Sequence, residues 1–462
     1  MDSHDLSLFH RRLIVGITLS AAFLSVLTQF LLITAFPKIM VDFQVSSTQV
    51  QWLTTSYMIT MAILIPITAF FIDRFKTRTL MMSALTLFIL GTFIALVAPS
   101  FSFLILGRVI QGMGSGVMIP LMQTILFLIY PREQRGYAMG LAGMVINVAP
   151  AIGPPISGII IQTFEWRALF LLTLPIAILI LLLIYLYMRN ITEQKETTID
   201  YASIFFSIIG FGSLLYGFTQ LQETGLTDKA TLISLVIGVF VLGLFVLRQF
   251  QLTKPILELR VLKVPIFIIV TIISVFSFSL LIAIETILPM YVQNAQRFSA
   301  YYGGLIVMPG ALTLAVMSML AGRLFDRYGG KVISLIGFVL LILSTLSFYS
   351  LLNLNTPFIV TMGLFMVSMA GVALINMPIM TAGINALPDE LIPHGTAVIN
   401  TARQFGGTLG LTFIISFISR AEGKTEQINP LNYMSGVKSA FLAAFIFAMI
   451  GLLLSLFIKE DK

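Results

Sequence analysis

The sequence predicts an all-helical protein that crosses a membrane many times, and three observations carry that reading. Of 462 residues, 58% are apolar and only 10% are charged, where a soluble domain carries about 25%. The mean hydropathy is +1.00. Uncharged runs of roughly 20 residues, the length that spans a bilayer as a helix, recur from one end of the chain to the other. There are no cysteines, which excludes disulfides, thiolate metal sites and cysteine nucleophiles. His4, His10 and His394 lie far apart in sequence and predict no histidine metal cluster. The net charge of +7 must be located relative to the bilayer before it says anything about partners.

Taken in order, the runs fall near 13–36, 53–72, 79–98, 101–129, 137–161, 168–188, 201–219, 230–247, 264–292, 299–322, 332–352, 357–387, 395–418 and 436–458, which predicts fourteen spans. The first is too long for a signal-peptide core and is expected to be retained. Polar stretches near 189–200, 248–263 and 419–435 are too short for a separate domain of typical size. No GxxxxGK[ST] loop is present, so ATP is not expected to drive the protein.

An even span count puts both termini on one side, and the basic residues choose the side. Connections sharing a side with the N-terminus hold 18 Lys and Arg, among them Arg74, Lys76, Arg78, Arg327, Lys459 and Lys462; the opposite connections hold 7, among them Lys424. The termini are therefore expected to be cytoplasmic. Two further basic residues, Arg108 and Arg403, fall inside apolar spans.

The turn Asp73-Arg74-Phe75 has a second copy at Asp326-Arg327-Tyr328, each on the expected cytoplasmic side between two spans. The two copies are eight spans apart, whereas two six-helix halves would place them six apart. Residues 1–188 are therefore expected to form one six-helix half, 264–462 the other, and 189–263 a linker with two inserted spans. Repeated halves that rock about a midplane site are the logic of a secondary transporter.

At these residues the chain resembles the major facilitator superfamily, and within it the fourteen-helix drug:proton antiporter branch of bacterial multidrug and lincomycin-type exporters. The turn from Asp73 through Arg74 to Arg78 is similar to the first cytoplasmic loop motif of that family, with Ala69 and Lys76 where glycines are usual. The resemblance implies that Asp73, Arg74, Arg78, Asp326 and Arg327 gate the exchange between states; a solvated basic loop is the alternative. Leu104 through Arg108 to Gln111-Gly112 resembles the LxxxRxxQG motif. An arginine in hydrocarbon is costly unless it faces protein or water, and the resemblance implies a part in proton coupling; bonds to carbonyls and glutamines would serve structure alone. Gly153-Pro154-Pro155-Ile156-Ser157-Gly158 resembles the antiporter motif GPxxGG, with Ser157 for one glycine. Small residues there permit close packing and prolines permit a bend, so Gly153, Pro154 and Gly158 are candidate hinge positions. Glu165-Trp166-Arg167 and Phe170 resemble the WRxxF element and are read as an interfacial anchor.

Where the family pattern has an acid in the first span, this chain has Thr28. Glu285, in the ninth span, is the one acid that cannot be assigned to a loop, turn or terminus, and a carboxylate in a span is functional by default. Glu285 and Arg108 are thus the expected proton-coupling residues, an interfacial glutamate being the alternative for the first. Gln29, Tyr57, Asn147 and Asn376 are expected to line the substrate cavity, with Gln111, Gln123, Asn294 and Asn400 also in spans. The expected protein is not an enzyme. It exports hydrophobic or amphipathic compounds across the cell membrane in exchange for protons, without cofactor, metal or nucleic acid, as a monomer in the lipid bilayer. The alternative cargo is an endogenous lipid, peptide or nucleotide-like metabolite.

Overall fold

The computed structural model describes residues 8–195, 199–224, 228–422 and 430–458, so His4, Lys424, Lys459 and Lys462 lie outside the described residues. All regular structure among them is helical. A first group comprises α1 (Leu8–Leu31), the short α2 (Phe36–Phe43), α3 (Ser47–Arg74), α4 (Thr77–Leu96), α5 (Phe101–Ile129), α6 (Arg135–Thr163) and α7 (Ala168–Tyr187). A pair follows, α8 (Tyr201–Thr224) and α9 (Lys229–Gln251). The second group comprises α10 (Pro265–Met290), α11 (Ala300–Leu351), α12 (Phe358–Asn385), α13 (Ile392–Glu422) and α14 (Pro430–Leu456).

Local chemistry sets the ends. Ser46 caps α3 in a reciprocal capping box with Gln49. Ser100 caps α5 and Asp228 caps α9 through their side-chain oxygens. Pro265 stands at the start of α10, where its missing N–H costs nothing. The 52-residue α11 is interrupted at Gly329, whose φ of 81° suits a residue without Cβ. Each arm is long enough to cross a bilayer, and the tenth and eleventh expected spans are these two arms. Among the described residues twelve helices are long and apolar enough to cross a membrane; α13 is diluted by polar residues such as Asn400, Arg403 and Gln404.

Close packing relies on glycines facing backbone. Gly91 and Gly107 bring α4 onto α5, and Gly337 and Gly371 bring α11 onto α12. The α8/α9 pair lies along the seam between the groups: Trp52 of α3 stacks on Tyr216, and Phe405 of α13 meets Phe211 at 4.7 Å. Asp200, at the entrance to α8, is bridged by Arg248 of α9 at 2.7 Å, a bond that holds its carboxyl below the usual carboxylate range.

The start of α1 and the end of α14 lie at one end of the bundle. Arg11 donates to Gln134, in the connection from α5 to α6, at 3.3 Å. At the other end Asn294, beyond α10, donates to Tyr433 near the start of α14 at 3.2 Å, so α14 finishes beside the start of α10. We call these ends the terminal face and the distal face.

The groups meet most intimately where α6 crosses α11. A Cβ on Gly322 would lie 2.2 Å from the Gly136 carbonyl oxygen and 2.8 Å from Gly140 Cα, and one on Gly140 would lie 2.7 Å from the Ser318 carbonyl. Backbone touches backbone here. Gly322→Ala should therefore disfavour closure of the terminal face. Overpacking of roughly 1–3 kcal/mol shifts the balance at least about fivefold. The check is thiol labelling from the terminal face of a lone cysteine at the buried position Thr396, in a chain that otherwise has none. Labelling no faster in Gly322→Ala would show that closure does not depend on this contact.

Candidate functional site

At the terminal face two aspartates tie the groups together. Asp73, at the end of α3, is buried, and both its oxygens accept from Lys195 Nζ at 3.0 Å. Lys195 also donates to the Glu390 carbonyl at 2.9 Å, just before α13. His394 of α13 places Nε2 3.1 Å from Asp73 Oδ2, while its Nδ1 accepts the Glu258 backbone N–H at 3.1 Å. A backbone N–H can only donate, so Nε2 carries the ring hydrogen and donates to Asp73. Asp326 of α11 accepts the backbone N–H groups of Gly136 and Tyr137, each at 2.8 Å. Its carboxylate thus sits at the N-terminus of α6, where unpaired donors and the helix dipole favour a negative charge. Arg135 completes the face by donating to Asp389 at 3.0 Å and to Asn385 at 3.3 Å. The other gating candidates act locally: Arg78 donates to the Tyr185 carbonyl, Arg327 lies 5.1 Å from the Tyr328 ring centroid, and Arg74 is exposed.

The antiporter-like stretch of α6 serves a different contact. Gly153 faces Phe30 of α1, with 3.0 Å from a hypothetical Cβ to the Phe30 Cβ. Ser157 accepts from Thr34 Oγ1. Gly158 faces open space, and α6 runs unbroken from Arg135 through Pro150, Pro154 and Pro155 to Thr163. This segment packs within the first group, whereas the crossing to α11 uses Gly136, Gly140 and Gly143 nearer the terminal face. Trp166, expected as an interfacial anchor, is only 1% exposed and donates to Asp42 at 2.7 Å, with Arg167 3.7 Å from the same carboxylate. It fills a core pocket behind α2 because its ring packs against Phe43 and Phe170.

Arg108 is wholly enclosed in the first group. Its Nε donates to the Leu53 carbonyl at 3.0 Å, its Nη1 donates to Gln111 at 2.9 Å, and the guanidinium lies 4.2 Å from the Tyr57 ring centroid. Tyr57 is itself buried, its hydroxyl 2.8 Å from the Ser25 carbonyl and 2.5 Å from Ser115 Oγ. Tyr57 therefore belongs to a bridge among α1, α3 and α5 rather than to an open cavity wall. No hydrogen bond or ion pair joins Arg108 to Glu285.

At mid-depth the groups are joined by Asn147, which donates to Ser318 at 3.2 Å, and by Asn400, which donates to Gln123 at 2.6 Å. These bonds floor the space between the groups. Asn376 is buried and accepts from Ser277 at 2.9 Å, within the second group. Gln29 and Glu285 are half-buried. Phe278 and Glu285 lie seven residues apart on one stripe of α10; Phe278 itself packs against Gly407 of α13, and the neighbouring Ser277 reaches Asn376 of α12. Among the described residues Glu285 has neither a hydrogen bond nor an ion pair.

Residues the sequence analysis passed over include Lys195, His394 and Arg135, whose partners are distant in sequence. The α6/α11 contact had a legible signal, since Gly136, Gly140, Ser318 and Gly322 are small residues at four-residue spacing.

The family model of the Major Facilitator Superfamily matches residues 18–411. The uncharacterized MFS-type transporter YcnB of Bacillus subtilis is 45% identical over 98% of this chain and 96% of its own length. The lincomycin resistance protein LmrB of Listeria monocytogenes is 36% identical over 97% of each chain. The human organic anion transporter MFSD10 superposes with a TM-score of 0.68 at 12% identity, covering 96% of this chain and 99% of its own. The proton:xylose symporter XylE superposes with a TM-score of 0.67 at 15% identity, covering 98% and 97%; at such identities the likeness is one of fold. With helices grouped on either side of a shared space, and with the family matched over most of its length, the chain belongs to the Major Facilitator Superfamily of membrane transporters.

Proposed function

We propose that this protein exports hydrophobic or amphipathic small molecules from the cytoplasm in exchange for protons. In this reading it is a fourteen-span, monomeric member of the drug:proton antiporter branch of the cell membrane. Its termini are cytoplasmic, and it is driven by the proton gradient without a cofactor. The observation that carries the reading is Glu285, a carboxylate within α10 that has no hydrogen bond or ion pair among the described residues. The printed name of the lincomycin resistance relative supports the class of cargo.

One carboxylate cannot hold a proton and neutralise a cationic ligand at the same time, so occupancy by one excludes the other. With the terminal face closed through Asp73 and Asp326, Glu285 exchanges its proton with the outside. Opening the terminal face requires those aspartates to release α13 and α6, and cargo arriving from the cytoplasm then displaces the proton inward. Gly153, Pro154 and Gly158 set how α6 moves against α1, while Gln29, Asn147 and Asn376 supply hydrogen bonds around the cargo. Arg108 contributes by holding α3 against α5.

Glu285→Gln should abolish proton-driven dye efflux in everted vesicles while the protein is made and inserted normally; antiport at the wild-type rate in that variant would sink the assignment. Arg108→Met strands the Leu53 carbonyl and the Gln111 amide, at a cost of roughly 2–4 kcal/mol. It should lower the unfolding temperature of purified protein without moving the pH dependence of efflux. An upward shift of the pH optimum would instead restore direct coupling between Arg108 and Glu285.

A further inference from the structure

Arg403, like Arg108, is an arginine buried within an apolar span, and its surroundings differ from those of Arg108. It sits on α13 one turn beyond Asn400, whose bond to Gln123 floors the space between the groups. Its guanidinium lies 4.8 Å from the ring centroid of Phe278, and the residue is 9% exposed. Its Nε is buried with no acceptor, and neither Nη meets a protein acceptor among the described residues. The ring of Phe278 covers one face of the guanidinium and leaves its in-plane donors unused. Because Arg403 follows Asn400 by three residues, both point to the same side of α13, toward the space that Asn400 bridges. A guanidinium with idle donors, held rigid by an aromatic ring at the floor of a chamber, has the geometry that receives two oxygens of one anionic group.

We propose that Arg403 is a ligand-binding residue that takes the carboxylate, phosphate or sulfonate of an amphipathic substrate, with Glu285 as the opposite pole of the same site. Phe278 and Glu285 are seven residues apart on α10, so the two poles stand about 10 Å apart along that helix at 1.5 Å per residue. The chamber then suits zwitterionic and anionic amphipaths as well as cationic ones, and a zwitterion with charges separated by that distance meets both poles at once. The inference rests on the export reading for the location of the site, and extends it to a class of cargo that Glu285 alone would not retain.

The test uses two xanthene dyes of opposite charge, carboxyfluorescein and rhodamine 6G. Binding to purified full-length protein in neutral detergent is followed by fluorescence polarisation. Wild type should bind both. Arg403→Gln should weaken carboxyfluorescein at least tenfold more than rhodamine 6G, Arg403→Lys should recover most of the anion binding, and Glu285→Gln should weaken rhodamine 6G preferentially. Unfolding temperatures of the variants separate loss of binding from loss of fold; should Arg403→Gln be unstable, competition on wild type by octanesulfonate, a non-fluorescent anion, carries the same comparison: it should displace carboxyfluorescein more readily than rhodamine 6G, and equal displacement of both would overturn the anionic pole. Equal weakening of both dyes in Arg403→Gln, or no carboxyfluorescein binding to wild type, would overturn the anionic pole. Binding does not involve a gradient, so failure of proton-driven efflux in vesicles with this selectivity intact would overturn the export reading and spare the site.

Discussion

Asp326 receives the second and third backbone N–H groups of α6, and a few residues further on the backbones of α6 and α11 come into contact at Gly140 and Gly322. Much else follows from that junction. It holds the terminal ends of the two groups together and aligns Asn147 with Ser318 at mid-depth. The space between the groups therefore has a floor. Asp73 repeats the device on the pseudo-equivalent turn, but it reaches α13 through the side chains of Lys195 and His394 instead of through backbone donors. One link is thus written in main-chain geometry and the other in side chains.

Hydrocarbon offers no hydrogen bonds, so each buried polar group must find its partner inside the protein or in enclosed water. Arg108 meets that demand in part, through a carbonyl, an amide and an aromatic face, with Nη2 left over. Glu285 and Arg403 do not, and both belong to the second group. The asymmetry is informative. Arg108 is tied into the first group by two hydrogen bonds, whereas within the spans of the second group one charge of each sign has no hydrogen bond or ion pair among the described residues.

Much of the fold was legible because the relevant signals are local. Runs of apolar residues, a cap such as Ser46, and the paired turns at Asp73 and Asp326 can each be read within a short window. Glu285 was legible for the same reason, as a lone acid in a long apolar run. What could not be read was partnership across sequence. Nothing local announces that Asp73 meets His394 or that Asn400 reaches Gln123. Tyr57 illustrates the difficulty from the other direction: a polar aromatic in a span reads as a cavity residue until Ser25, Ser115 and Arg108 are seen around it. Gly153, read as a hinge position, packs against Phe30 and Leu27 of α1, since a small-residue stripe specifies close packing without specifying against what.

His394 uses both ring nitrogens, one toward Asp73 and one toward the main chain at Glu258. Glu258 lies in the connection that leads out of the α8/α9 pair into α10. A single imidazole therefore works as a three-way rivet through α3, α13 and the strap behind the extra helix pair. Any motion that parts α3 from α13 must either carry that strap along or shear it from the ring. The connection out of the α8/α9 pair is in this way tied to both α3 and α13 through one ring, so the three cannot part without breaking one of its two hydrogen bonds.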